Sequence, residues 1–177
     1  MLDEFEAAHA LVGGTPAARR FARQQIAQAY VVLLCSQFQR FCRELHIEAT
    51  ESLTHLASHD PIAAILRRLL STGKRLDIGN PNSATLGADF GRLGMDFWGV
   101  LRQRDPRNND RKAELDVLMS WRNAIAHQDF RNAALGGAEE VDIRQVRRWR
   151  RACERLAVEF DAAIRLYLRT TTGVTLW

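Results

Sequence analysis

The sequence predicts an all-α protein, a single-domain helical bundle of about five helices. Apolar residues recur three and four apart through most of the 177 residues, the period that turns one helix face toward a core. Clusters of Pro, Gly, Asn and Asp divide that pattern into about five runs. No run alternates with the period of two that a half-buried strand needs, and no segment repeats. The composition, 46% hydrophobic and 26% charged, suits one domain with a sizeable core. That domain is expected to span residues 1–177, with about the first 14 flexible.

The first run extends from about Pro16 to Ser58, with Ile26, Tyr30, Leu33, Leu34, Phe38, Phe41 and Leu45 at helical spacing and no Pro or Gly between. It reads as one long helix, or two with a kink. Asp60 and Pro61 then supply an N-cap and the proline tolerated in a first turn, opening a helix that ends near Gly73. "TGKRLDIGNPNS" reads as a loop. Ser83 is the expected cap of a third helix, whose stripe is Leu86, Phe90, Leu93, Phe97, Val100 and Leu101. "RDPRNND" interrupts, and Asn109 or Asp110 opens a fourth helix that stops near Gln128. "RNAALGGAEE" is turn-rich. The fifth helix begins near Asp142 and spaces Val146, Trp149, Cys153, Leu156, Phe160, Ile164 and Tyr167 three or four apart.

No window approaches the ~20 apolar residues of a membrane span. The start, "MLDEFEAAHA", is acidic and polar rather than signal-like, so a cytoplasmic protein with no membrane partner is expected. Cys35, Cys42 and Cys153 lie inside apolar helical patterns without CxxC or Cys/His spacing and read as buried free thiols. The formal charge is +4 and the excess is arginine, since only Lys74 and Lys112 are lysines. Arginine's planar fork suits phosphate; arginine-rich codon usage would leave the same composition.

The chemistry concentrates in "SWRNAIAHQDF", residues 120–130. On the fourth helix, Leu115, Leu118, Arg122 and Ile125 form one stripe, so Arg122 interrupts a core face. A guanidinium in a dry interior costs several kcal/mol unless paired. It therefore needs a carboxylate partner, a route to solvent, or a polar cleft or interface. Asn123 and His127 are i, i+4 neighbours, so the amide can orient the imidazole. His127 is five residues from Arg122, about 140° around an ideal helix. A histidine in a last turn also complements the helix dipole, and an arginine on a core stripe is commonly a structural ion pair.

"RNAIAH" resembles the signature of the HEPN superfamily, an Arg, a polar residue and a His after a short apolar spacer at the end of a helix in an all-α bundle. Arg122, Asn123 and His127 fill those places. "NPNSATLGADFGRLG" is similar, more softly, to the loop and helix before the motif in some bacterial members. The resemblance implies a metal-independent endoribonuclease acting as a homodimer, the two motifs facing each other across the twofold axis. It also implies a toxin–antitoxin or phage-defence effector, restrained by an antitoxin or sensor protein. RNA cleavage by 2′-OH attack needs a base, an acid and positive charge on the transition state. By this resemblance His127 acts as base or acid, Arg122 holds the scissile phosphate, and Asn123 orients His127 or contacts the phosphate. No cofactor or metal is expected; His55 and His59 lack HExxH context and read as surface residues. The alternative is a non-catalytic HEPN-like dimerisation module that binds a partner protein or nucleotide.

In the fifth helix Arg144, Arg148, Arg151 and Arg155 share a face, with Arg147 beside them. Such a stripe can track an RNA backbone, or be a solvated face paired with Glu154, Glu159 or a partner's acids. Trp149 is expected in the core, with base stacking by it or Trp121 the other option.

Overall fold

The computed structural model describes residues 1–55 and 61–173. Among these it holds eight α-helices, one 3-10 turn and no strand, so the all-α class stands and the number of about five helices is corrected. Each of the three additional helices has a local cause.

The first is α1, Leu2–Leu11, where a flexible start was expected. Glu6 accepts from Tyr30 Oη (2.9 Å) and Arg147 Nε (2.7 Å), Arg150 pairs with Asp3 at 2.6 Å, and the Phe5 ring lies 5.8 Å from that of Tyr30. These polar contacts, with one aromatic anchor, hold the helix against its neighbours.

Helix α2, Pro16–His55, is a single helix of 40 residues, about 60 Å long at 1.5 Å per residue. Its stripe of Tyr30, Val31, Leu34, Phe38, Cys42 and Leu45 is buried, and it packs against α1, α3, α4, α5, α7 and α8. Helix α3 spans Pro61–Ser71. His59, of the His55–His59 pair, and the expected cap Asp60 lie outside the described residues.

The expected loop contains the short helix α4, Arg75–Ile78. A four-residue helix has no internal reserve of hydrogen bonds, so its orphan groups need outside partners. Asp89, 1% exposed, accepts from the N–H groups of Arg75 and Leu76 at 3.0 and 2.7 Å. At the other end Gln39 donates to Leu76 O and Gly79 O, and Arg43 donates to Leu76 O and Asp77 O.

The expected third helix is two, α5 (Ser83–Gly91) and α6 (Phe97–Arg104). Gly94, at φ +90°, makes the turn between them, and a Cβ there would sit 3.0 Å from Tyr167 Oη. Asp96 caps α6 by accepting from Gly99 N. The stripe read from the sequence survives the break because Phe90, Leu93, Phe97 and Leu101 remain buried on one side. Asn82, not Ser83, caps α5, accepting from Thr85 N at 2.8 Å.

Helix α7 spans Asn108–His127 and α8 spans Ile143–Thr172, with the 3-10 turn Ala133–Leu135 between them. Asp142 caps α8 through Arg144 N. Helices α2, α7 and α8 pack mutually around Leu115, Leu118, Met119, Val146, Trp149, Leu156 and Phe160. Phe90 and Phe97 stack at 4.4 Å, and Phe160 meets Phe97 edge-on at 4.8 Å. All three cysteines are free and buried. No helix is long and apolar enough to cross a membrane among the described residues.

Candidate active site

The end of α7 is fixed by Gln128, which adopts φ 52°, ψ 35°, the left-handed conformation that closes a helix. It is the one non-glycine residue with positive φ among those described. Asp129 N donates to Ala124 O at 3.0 Å, and the chain turns away. His127 is thereby the last helical residue and its side chain is exposed.

One turn earlier, Leu115, Leu118 and Ile125 are buried and Arg122 is half-buried. The Arg122 guanidinium donates to Asn123 Oδ1 at 3.3 Å, and no carboxylate among the described residues pairs with it. An arginine held for structure alone would be expected to have one. It sits close enough to α2 to act on Cys35: burial pushes that thiol up to about 12, with the Arg122 charge pulling the other way.

Arg122, Asn123 and His127 line one cleft of about 360 Å³, whose other walls are Gln39, Asp77, Ile78, Gly79 and Asn80. An adjoining cleft of about 550 Å³ is lined by Asn123, Ala124, His127, Asp129, Arg131 and Asn132. His127 and Asn123 thus form a rib between two solvent-open recesses. A hydrogen bond from Arg131, above all, holds Asp129 at about 2, and the positive field of His127 adds to this. Asp129 is therefore an anion at neutral pH. The long arginine stem closes the 140° gap between positions 122 and 127, as the shared cleft requires.

Asn123 does not bond to His127. Its Oδ1 accepts from Asn80 Nδ2 at 2.5 Å as well as from Arg122. Asn80 belongs to the segment strapped down by Gln39 and Arg43, which forms the wall opposite α7. Ile78, on that wall, is 92% exposed. Sequence reasoning treated this stretch as a loop and did not single out Gln39 or Asn80. The available signal was "NPNS", an Asn-rich turn just ahead of a capped helix.

The basic stripe lies elsewhere. Arg144 pairs with Asp142 at 2.6 Å, Arg147 with Glu6 at 2.7 Å, and Arg148 with Glu114. Arg151 and Arg155 are exposed, with no carboxylate partner among the described residues. The expected acids are used differently, Glu154 by Arg150 and Glu159 by Arg104. None of the five arginines lines either cleft at His127. Trp149 is buried at 1% and Trp121 at 6% exposure, their rings 6.3 Å apart, so both serve the core and base stacking by them is excluded. No metal-ligating cluster occurs among the described residues.

The family model described as RiboL-PSP-HEPN matches residues 70–165, more than half of the chain and every element from α4 into α8, including the whole Arg122–His127 segment. No curated protein and no solved structure matches. With the motif closing a long helix of an all-α bundle, the chain belongs to the HEPN superfamily, through its RiboL-PSP-HEPN family.

Proposed function

We propose that this protein is a metal-independent endoribonuclease whose active site is completed by a second copy of the chain. One observation carries the reading. A half-buried arginine with no carboxylate partner among the described residues and an exposed histidine share a cleft of about 360 Å³. A purely structural arginine would be expected to have found an acid.

In the proposed reaction a histidine takes the proton of a ribose 2′-OH, and that oxygen attacks the adjacent phosphorus. The P–O5′ bond breaks and the 5′-oxygen leaves with a proton from a second acid. The products are a 2′,3′-cyclic phosphate and a 5′-hydroxyl. His127 serves as base or acid, the two proton-transfer roles an imidazole can take. Arg122 stabilises the charge that develops on the phosphoryl oxygens. One chain offers one such pair; an isologous dimer offers two, which separates the base and acid roles. The effector role in a toxin–antitoxin or phage-defence system, with an antitoxin or sensor protein as restraint, belongs to the same proposal.

The test is incubation of purified wild type, Arg122→Ala and His127→Ala with total RNA in EDTA, alongside the mass of each in solution. Cleavage by the wild type alone, from a dimer, supports the reading. An inert wild type that is nonetheless a dimer supports a non-catalytic binding module instead, and a strict monomer removes the shared site.

A further inference from the structure

From the Asn80–Asn123–Arg122 contact we infer that Asn80 is a positioning residue: it locks the Asn123 side-chain amide so that its NH₂ group faces the cleft as a donor to the RNA phosphate. The inference rests on the ribonuclease reading for its ligand, but not for its geometry.

The orientation of an amide follows from what its neighbours can do. Arg122 can only donate, since a guanidinium has no acceptor. The Asn123 atom 3.3 Å from Arg122 Nη1 is therefore the oxygen. The same oxygen lies 2.5 Å from Asn80, which must then present its own NH₂. Two donors on one oxygen leave the Asn123 nitrogen directed away from both. Asn123 lines both recesses beside His127, so its N–H groups face the space where a phosphate between Arg122 and His127 would lie. With its oxygen occupied twice and no hydrogen bond to His127, Asn123 keeps its NH₂ group for an anion instead of bracing the imidazole.

Asn80 is suited to this work because its backbone does not move freely. The carbonyls at 76, 77 and 79 are held by Gln39 and Arg43 of α2. At the other side Ser83 is held by Asp116 of α7. An asparagine fixed at both flanks loses little freedom in holding a second amide still.

The first arm of the test is ¹⁵N relaxation of the Asn123 side-chain amide in the free protein, for wild type and Asn80→Ala. The expected result is an ordered NH₂ group in wild type and a mobile one in the variant. Equal order in both overturns the positioning role, whatever the enzyme does with RNA. The second arm is the affinity for a mixed-sequence 2′-O-methyl oligoribonucleotide, which binds but supplies no attacking hydroxyl. Asn80→Ala should weaken it about 10-fold, the scale of one hydrogen bond to a charged group, with the melting temperature unchanged. In an Asn123→Ala background the same substitution should add nothing, because its effect runs through Asn123. An undiminished second loss would mean that Asn80 acts by shaping the wall, and would overturn the inference. An ordered-to-mobile change with non-additive binding, in a protein that cleaves no RNA, would retain the positioning role and reject the nuclease.

Discussion

Ser83 donates twice to Asp116, from its backbone N–H at 2.8 Å and from its hydroxyl at 2.6 Å. This clasp joins the first turn of α5 to the middle of α7, and so ties the wall carrying Asn80 to the helix carrying Arg122. Ser83 was expected to cap its own helix; Asn82 does that, and the serine is free for the tertiary contact.

Asp116→Ala should leave the Ser83 N–H and hydroxyl without their acceptor. Losing two hydrogen bonds to a charged acceptor in a half-buried setting costs roughly 2–4 kcal/mol. Thermal unfolding should show a drop of several degrees. Asp116→Asn, which keeps one acceptor oxygen, should lose clearly less. Equal losses in the two variants would mean that the clasp contributes nothing specific.

Arg122→Ala is expected to lose about 100- to 1,000-fold in RNA cleavage, the range seen when one transition-state donor is removed. Arg122→Lys should recover little, since an ammonium cannot present two parallel donors to a phosphoryl group. Neither variant should melt more than a few degrees below wild type, because no carboxylate among the described residues loses its partner. Single-turnover cleavage and calorimetry on the same samples check both halves. A strongly destabilised Arg122→Ala would mark the arginine as structural.

The legible part of the fold was its long helices. The apolar stripes of α2 and α8 fixed their burial, and Phe38, Trp149 and Phe160 lie where their spacing put them. Short elements were not legible for a physical reason. α4 has four residues, and its amides and carbonyls are satisfied by Asp89, Gln39 and Arg43, partners 13 to 37 positions away that no local pattern encodes. The break at Gly94 was hidden because two short helices kept one buried side. α1 is anchored mostly by ion pairs, which leave no apolar period to read. At the candidate site, the motif named Arg122, Asn123 and His127, and the structure adds the wall that faces them. That Asn123 turns to Asn80 rather than to His127 depends on a contact across 43 positions.

Docking of α1 should weaken in acid. Burial raises the Glu6 carboxyl, but hydrogen bonds from Tyr30 and Arg147 outweigh it and hold the group below its usual value. A carboxyl depressed in the folded state contributes its full stabilisation above its unfolded value, about 4.3, and loses it as pH falls through the folded value. Asp3, held low chiefly by its hydrogen bond from Arg150, acts in the same direction. Hydrogen exchange over residues 2–11 should therefore accelerate, relative to α7, as pH drops below about 4.3. In Asp3→Asn/Glu6→Gln the helix should already be loose at pH 7, with the acid dependence largely gone. An unchanged pH profile in that double variant would show that neither Asp3 nor Glu6 carries the acid dependence of α1 docking.

The arginines of α8 should separate into two classes. Arg151 and Arg155 are exposed with no carboxylate partner among the described residues, so their charge is available to a polyanion. Arg147 is engaged with Glu6, and its removal should act on α1 first. If RNA runs along this helix, each contacted phosphate releases condensed counterions, and the slope of log K against log salt reports how many. Arg151→Gln and Arg155→Gln should each reduce that slope by about one and weaken binding evenly across sequences. Arg147→Gln should instead raise exchange in residues 2–11. The 2′-O-methyl oligonucleotide, titrated at four salt concentrations, measures the slopes without cleavage intervening. Slopes identical to wild type in both exposed variants would place the RNA path away from α8 and leave its arginines as a solvated face.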